Sequence, residues 1–215
     1  MKDQVLRFAD GGWAEQVGND LALDLVNTVA WRRDPARRVD RLTDVPALLA
    51  WARFVDLADE ATEARRLERS AARDPRAADA ALARVRELRE RLHAVALPIA
   101  RGAEPDAADV QAVHTELLEA LGRADVGSVM PLTWLTGLHS MDGLADRLAV
   151  RAWHLLQRDT AGRLRECRDD SCGWLFLDLS RNGCRIWCSS ADCGNRSRAR
   201  RHYRRRRAEA AEVSA

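Results

Sequence analysis

The sequence predicts a mainly α-helical domain, with room for short strands, followed by a small metal-folded module. Over most of the first 160 residues, apolar side chains recur every three or four positions, the period of an amphipathic helix. Four cysteines near the C-terminus form two evenly spaced pairs, and an arginine-rich segment follows the second pair. We therefore predict a helical domain over residues 1–160 and, over 161–215, a treble-clef-like module with a β-hairpin and a basic helix.

The first helix is predicted to begin near residue 21, with Asn19 or Asp20 as its N-cap. Four apolar side chains would then share one helical face. They are Leu21, Leu25, Val26 and Val29. Because leucines alternate over residues 21–25, a strand with these leucines pointing inward is the alternative.

Further helices are predicted between residues 43 and 101. Thr43 or Asp44 can cap a helix whose early proline is tolerated in the first turn. Its buried face should include Leu48, Trp51, Val55 and Ala58. The longest periodic stretch covers residues 65–101, with a break expected at residues 74–75 and a bend or end at Pro98. Its core-facing side chains are Leu82, Val85, Leu88, Leu92, Val95 and Ile99.

The last two helices of the first domain flank an ambiguous segment. Asp106 can cap a helix that Gly122 ends. Its apolar residues are Val110, Val113, Leu117, Leu118 and Leu121. Residues 123–135 predict either a short strand pair or irregular chain. The final helix should start at about Asp142 and bury Leu144, Leu148, Ala152 and Leu155.

Two matched cysteine pairs predict a structural metal site. Cys167 and Cys172 are separated by four residues, as are Cys188 and Cys193. Four thiolates fill the tetrahedral shell of Zn²⁺ and leave no open position for a substrate water. The sequence therefore predicts one structural zinc per chain.

Two other candidate ligands are interpreted as lying outside the metal shell. Cys184 falls in a predicted strand and would have to displace a cysteine from a more symmetrical set. His202 lies nine residues after Cys193, more than two helical turns away. We expect Cys184 to act as a packing residue and His202 to lie at the surface or contact a phosphate.

The chain is predicted to be cytoplasmic. Its first residues include an acid and lack the apolar run of a signal peptide, and no stretch approaches the roughly 18 apolar residues of a membrane span. Because thiols stay reduced in the cytosol, clustered cysteines indicate metal binding there and not disulfides.

The C-terminal module should contain a hairpin and a helix. Residues 173–178 have the aromatic and aliphatic bias of a strand, and Asn182-Gly183 is a hairpin-turn signal. The partner strand is predicted at residues 184–187. Ser189, Ser190 or Asn195 can then cap a helix that continues to about Glu209. Ala199, Tyr203 and Ala210 would face the hairpin.

The charge is divided unevenly along the chain. Residues 1–160 hold 22 Lys and Arg against 26 Asp and Glu, whereas residues 161–215 hold 13 against 7. Residues 194–207 contain eight arginines and no acid, which predicts contact with nucleic acid through guanidinium–phosphate pairs. The predicted contacts are Arg196, Arg198, Arg200, Arg201, Arg204, Arg205 and Arg207. A solvated charged helix end is the alternative.

Three motifs in this module resemble the CGNR zinc finger family of bacterial proteins. They are the sequences CGWLF at residues 172–176, RIWCS at 185–189 and CGNR at 193–196. Upstream, LALDLVNT at residues 21–28 resembles the start of the ABATE domain that usually precedes this finger. The two resemblances together cover nearly the whole chain.

The resemblance implies a stress-related transcription regulator whose C-terminal finger binds DNA. It carries over Cys167, Cys172, Cys188 and Cys193 as the zinc ligands. The first domain would sense a small-molecule effector or mediate homodimerisation. Candidate pocket residues there are Asp24, Asn27 and Thr28, for which helix surface or local capping is the alternative interpretation.

Other function classes remain as alternatives. An arginine-rich helix also suits RNA or the ribosome, and the finger could be a protein-interaction module. We do not expect an enzyme, because the sequence has no His-Glu-x-x-His, no Gly-x-Ser-x-Gly, no phosphate loop, and no His-x-Glu partner to a Cys-x-x-Cys.

Overall fold

The computed structural model describes most of the chain. The described residues are 6–7, 13–14, 17–58, 61–127, 134–135, 137–160 and 162–213. Within these ranges, side chains are described from residue 17 to residue 206, except at 134 and 135.

Seven α-helices account for most of the described structure, and none of them is long and apolar enough to cross a membrane. They are α1 (Leu21–Val26), α2 (Val45–Phe54), α3 (Ala61–Arg73), α4 (Pro75–Ala100), α5 (Ala107–Gly122), α6 (Met141–Gln157) and α7 (Asn195–Val213). A π-helical segment, Ser190–Gly194, leads directly into α7.

Short strands form four antiparallel pairs between and beside the helices. They are β1 (Leu6–Arg7) with β2 (Trp13–Ala14), β3 (Val29–Ala30) with β4 (Val39–Asp40), β5 (Asp125–Val126) with β6 (Trp134–Leu135), and β7 (Leu164–Glu166) with β8 (Leu175–Leu177). The β5–β6 pair lies in the segment that the sequence left ambiguous.

Side-chain caps begin the helices close to where the sequence predicts. Asp20, Asp44, Asp74 and Asp106 each accept a hydrogen bond from a backbone N–H in the first turn of the following helix. Such caps satisfy donors that have no partner within the helix. The last helix of the first domain begins one residue before the predicted position, because Ser140 caps it. Because residues 21–26 form α1, the strand alternative for residues 21–25 is wrong.

The core of the first domain is built around α4. The predicted face of this helix is buried as far as Val95, and Ile99 packs against the same core. Helices α5 and α6 pack against α4 and against each other. Pro98 does not end the helix, which continues to Ala100.

The metal module is fused to this core through β8. Leu175 and Leu177 belong to the core of the helical domain, whereas Phe176 packs into a second cluster with the four cysteines. Side chains alternate across a strand, so β8 is buried on both faces by two different clusters. Leu164 of β7 joins the helical core as well.

The predicted pairing of the finger hairpin is wrong in one strand. Residues 175–177 form a strand as expected, but their partner is the segment before Cys167, and residues 184–187 are irregular. The backbone N–H of Arg185 donates to the Asp178 carboxylate at 2.8 Å and not to a strand. A turn does form near Gly183, whose N–H donates to Ser180 O.

Candidate metal centre and nucleic-acid interface

Four cysteine sulfurs meet at one buried point. The Sγ atoms of Cys167, Cys172, Cys188 and Cys193 all lie within 4.8 Å of one another. Cys188 Sγ is 3.7 Å from Cys172 Sγ and 3.4 Å from Cys193 Sγ. A regular tetrahedron with Zn–S bonds of about 2.3 Å requires sulfurs about 3.8 Å apart. The four side chains therefore fit one structural zinc ion.

Two chain segments bring these cysteines together. Cys167 directly follows β7, and its N–H donates to Trp174 O at 2.8 Å, which closes the loop that carries Cys172. We call residues 167–173 the knuckle. Cys188 and Cys193 lie on either side of the Ser189 cap, whose hydroxyl accepts from Asp192 N. The second pair thus immediately precedes α7.

The thiols influence one another strongly. Hydrogen bonds from Cys172 and Cys188 lower the pKa of the Cys167 thiol. The same hydrogen bonds raise the pKa of Cys172 and the pKa of Cys188, so Cys167 would lose its proton before these two thiols. A divalent cation suits such a site because it offsets the charge of several thiolates at once.

The remaining candidate ligands lie apart from the cluster. Cys184 is exposed and is not among the clustered cysteines, so the packing role predicted for it is not what the structure shows. Arg185, its neighbour, fills the packing role instead, with its guanidinium 4.3 Å from the ring centre of Phe176. His202 is exposed on α7.

The inward face of α7 is made of arginine. Asp169 in the knuckle has a fully buried side chain that lies 3.4 Å from Arg196 Nε and 3.6 Å from Arg200 Nη1. Ala199 and Tyr203 are exposed, so the prediction that they face the hairpin is wrong, and the side chain of Ala210 lies outside the described residues. Where the side chains of α7 are described, up to residue 206, ion pairs to the buried Asp169 carboxylate join this helix to the metal module.

The knuckle itself stabilises the ionised form of Asp169. Burial favours the protonated form, but hydrogen bonds from the hydroxyl and N–H of Ser171, together with the charges of Arg196 and Arg200, outweigh it and lower the pKa of Asp169. The carboxylate is therefore ionised and directed toward α7. The Asp-x-Ser spacing could have indicated this loop from sequence, but not its partners.

The Gly-Asn-Arg signature after Cys193 has a contact at each position. A Cβ on Gly194 would lie 3.3 Å from Trp187. Asn195 donates to Ala191 O and accepts from Arg198, at 2.5 Å in both cases. Arg196 donates to Cys193 Sγ and stacks 4.6 Å from the ring centre of Trp31. These residues join the metal loop to the helix and to the first domain.

The predicted nucleic-acid contacts divide into two groups. Arg196, Arg198 and Arg200 are bonded to the metal module or the helix start, as described above. The side chains of residues 201–206 are all exposed, among them Arg201, Arg204 and Arg205. The side chain of Arg207 lies outside the described residues.

A cleft of about 310 Å³ lies between the knuckle and α7. Its lining is mostly cationic, with two knuckle carboxylates at one side. The lining residues are Arg168, Asp169, Asp170, Ser197, Arg200, Arg201 and Arg204. The cleft has the size and charge to admit a phosphate group beside the helix.

The three side chains predicted to face an effector pocket bond instead to the protein. Asn27 donates to Leu175 O at 2.8 Å and accepts from Leu175 N at 3.0 Å, which ties α1 to β8. Thr28 donates to Leu25 O and accepts from Arg89. Asp24 accepts from Gly18 N at 2.9 Å. All three are buried and bonded within the fold: Asn27 bonds across to the metal module, whereas Asp24 and Thr28 bond within the first domain.

Asp24 is electrostatically unusual among them. Burial raises its pKa to about 7, the hydrogen bond from Gly18 opposes that rise, and the charge of Asp20 adds to it. A side chain at Gly18 would meet Asp24 Oδ1 at 2.9 Å, so the close approach of backbone and carboxylate requires glycine.

Comparison with known families agrees with this division of the chain. Residues 19–162 match the ABATE family, described as "putative stress-induced transcription regulator", and residues 163–206 match the CGNR zinc finger. No curated protein matches the sequence. The ABATE match covers more than half of the chain, and the four clustered cysteines all lie within the finger match. The chain therefore belongs to the ABATE family and ends in a CGNR zinc finger.

Proposed function

We propose that this protein is a DNA-binding transcription regulator in which zinc positions α7 against the phosphate backbone. The observation that carries the proposal is the exposed arginine surface of residues 201–206, on a helix anchored at Asp169 beside the cysteine cluster. An anchored helix contacts DNA in one orientation, so less rotational freedom is lost on binding.

The chemistry of α7 suits both contact with phosphate and contact with bases. Guanidinium groups pair bidentately with phosphate oxygens and can also bind the O6 and N7 edge of guanine in the major groove. A helix of 19 residues is about 28 Å long, and a major groove is about 12 Å wide. The cleft beside Arg201 and Arg204 would hold a backbone phosphate.

The zinc is structural in this proposal, and no catalytic role is assigned to the chain. Four thiolates complete the tetrahedral shell and leave no position for a reacting water. Reduced thiols require a reducing compartment, which supports a cytoplasmic location. An effector or a second copy acting through the first domain would fit a regulator, but Asp24, Asn27 and Thr28 are bonded internally and do not support an effector site.

The test compares DNA binding by zinc-loaded protein and two double variants. Arg201→Ala/Arg204→Ala removes two exposed cations from α7, and Arg65→Ala/Arg66→Ala removes two from the exposed face of α3 as a charge-matched control. Fluorescence anisotropy with a mixed pool of duplexes should show affinity falling steeply with salt, because bound phosphates release counterions. The α7 variant should lose affinity and the α3 variant should not.

Three outcomes would contradict the proposal. Equal loss in both variants would mean that net charge, and not α7, drives binding. Competition by structured RNA at lower concentration than duplex DNA at the same salt would assign the helix to RNA. If wild-type protein showed no affinity for either nucleic acid, the finger would be a protein-interaction module.

A further inference from the structure

We infer that the nucleic-acid surface is composite, and that the loop between β3 and β4 in the ABATE domain contacts the backbone of the same DNA beside α7. This inference rests on the proposed function. It assigns a direct binding role to residues 31–38, which precede the finger by more than 120 positions. We call these residues the β3–β4 loop.

The β3–β4 loop reverses the charge of the domain that carries it. Residues 31–41 contain five arginines and two acids, whereas residues 1–160 as a whole carry more acids than bases. Arg32 is committed to the fold, with its side chain 7% exposed and 2.7 Å from Glu90. Arg33, Arg37 and Arg38 are exposed. Three cations at the surface of one short loop form a polyanion footprint.

The carboxylates near this loop do not bind these exposed cations tightly. Arg38 lies 3.8 Å from Glu90, which is already bonded to Arg32. Arg33 lies 3.9 Å from Glu166, which is also paired with Arg101 at 2.8 Å. Ion pairs at such distances from exposed arginines contribute little, so a phosphate can take the place of either carboxylate without a large cost.

The β3–β4 loop is fixed to the metal centre. The N–H of Arg32 donates to Cys172 O, and the indole N–H of Trp174 donates to Val29 O, each at 3.0 Å. Gly173 packs so closely that an added Cβ would lie 3.0 Å from Arg33 Cγ. The loop therefore keeps one position relative to the knuckle, and through the knuckle to α7.

Trp31 joins the two basic elements at one aromatic ring. The guanidinium carbon of Arg37 lies 3.7 Å from its ring centre, and that of Arg196 lies 4.6 Å from it. Trp31 has a backbone φ of 56°, a conformation that is costly for a bulky side chain and persists only where surrounding contacts impose it. Stacking orients the Arg37 guanidinium while leaving its N–H edge available to donate to phosphate, whereas Arg196 is already bonded to Asp169 and Cys193.

The geometry fits one continuous DNA contact. The sum of the two ring distances is the upper limit for the separation of the Arg37 and Arg196 guanidinium carbons. Arg204 lies about 12 Å further along the axis of α7. The two elements together therefore span at most about 20 Å, the length of about six phosphate steps along one strand. Duplex DNA is therefore the partner to which we assign the loop.

The experiment measures duplex affinity against salt for four forms of the full-length zinc protein. They are the wild type, Arg37→Ala/Arg38→Ala, Arg201→Ala/Arg204→Ala and Arg65→Ala/Arg66→Ala. We expect the loop variant to lose roughly tenfold in affinity at 0.1 M salt and to reduce the magnitude of the log–log salt slope by about 2, as the loss of two phosphate contacts requires. The loss should be similar on unrelated sequences.

The controls separate this inference from the proposed function. The substituted side chains are exposed, so zinc content should match the wild type in each variant. The thermal midpoint should also match, except for a small decrease in the loop variant from loss of the contact between Arg37 and Trp31. If the α7 variant loses affinity while the loop variant behaves like the α3 variant, the composite surface is wrong and the α7 proposal stands. If the wild type does not bind DNA, both are overturned.

Discussion

At the scale of single residues, Asp169 links the metal centre to the arginine helix. It lies two positions after a clustered cysteine and presents a buried carboxylate to Arg196 and Arg200. Removing one partner of a buried ion pair leaves an uncompensated charge, whereas the exposed arginines of α7 carry no such cost. The arginines that appear equivalent in the sequence therefore have two different duties.

Asp24 gives a prediction about pH. Its pKa is about 7 in the folded protein against an ordinary value of 3.8, so the folded state holds a proton that the unfolded chain releases between those values. Stability from this residue is complete below the lower value and is lost as pH rises toward 7. Asp24→Asn keeps the acceptor for Gly18 N and should be more stable than wild type at pH 8, by about 3 kcal/mol more than at pH 5.

Urea unfolding of both proteins with excess zinc at several pH values measures this effect. Loss of zinc at low pH affects both chains, so the difference between them isolates Asp24. A difference that stays constant from pH 5 to pH 8 would show that the carboxylate is ionised throughout.

The residue scale also shows which site residues a sequence can reveal. The clustered cysteines were predictable because thiols at equal spacing have few other uses in a reducing compartment. The sequence predicts a pocket position for Asn27, yet its side chain bonds to Leu175, 148 residues away. Neither that partner nor the contact between Trp31 and Arg196 has a local signal, because both depend on how the two modules pack.

At the scale of elements, α1 and β8 depend on each other. The helix has only six residues, too few to be stable alone, and Asn27 at its C-cap closes two hydrogen bonds with β8. Asn19 adds a third by donating to Leu177 O. The LALDLVNT motif therefore forms a helix of the first domain and also attaches that domain to the finger.

Asn27→Ala should destabilise the whole protein by about 3 kcal/mol, because it leaves the buried N–H and C=O of Leu175 without these partners. Asn182→Ala, in an exposed turn of the finger, should change stability by less than about 0.5 kcal/mol. Urea denaturation followed by circular dichroism compares the two. A small effect at Asn27 would mean that water or a shifted strand satisfies β8.

Helices were predictable from local chemistry, whereas strand pairing was not. Each aspartate cap and each proline at a helix start acts within one turn, so the sequence contains the whole signal. The sequence predicts the wrong partner for β8, because Asn-Gly indicates a turn but does not indicate whether strands flank it. In the structure the N–H of Arg185 donates to the Asp178 carboxylate and not to a strand, and this contact joins two loop residues.

At the scale of the whole molecule, we expect the metal centre and the helical core to unfold as one cooperative unit. The cysteine cluster packs on Phe176, and the neighbours of Phe176 in β8 lie in the core of the helical domain. Loss of the metal should therefore reach α4 and α6 and not stop at residue 162. The predicted boundary near residue 160 divides the sequence but does not divide the core.

Zinc release and helix loss should occur together. During thermal unfolding, a chromophoric chelator reports free zinc while circular dichroism at 222 nm reports helix, and we expect one shared midpoint. Cys188→Ser should bind less than one zinc and unfold at lower temperature, whereas Cys184→Ser should keep both zinc and midpoint. If zinc were released at a temperature well below the helical midpoint, and that midpoint stayed unchanged, the two modules would be independent.

The double burial of β8 also bears on how such proteins can be recombined. A chimera joined near residue 162 would give β8 a foreign set of helices on one face, although its other face kept its own cysteines. The segment that can be exchanged with few new contacts is the part of α7 that follows Arg200, because the side chains of residues 201–206 are exposed. Grafts that alter the proposed DNA contact should therefore replace this part of the helix and leave Cys193, Arg196 and Arg200 in place with the rest of the finger.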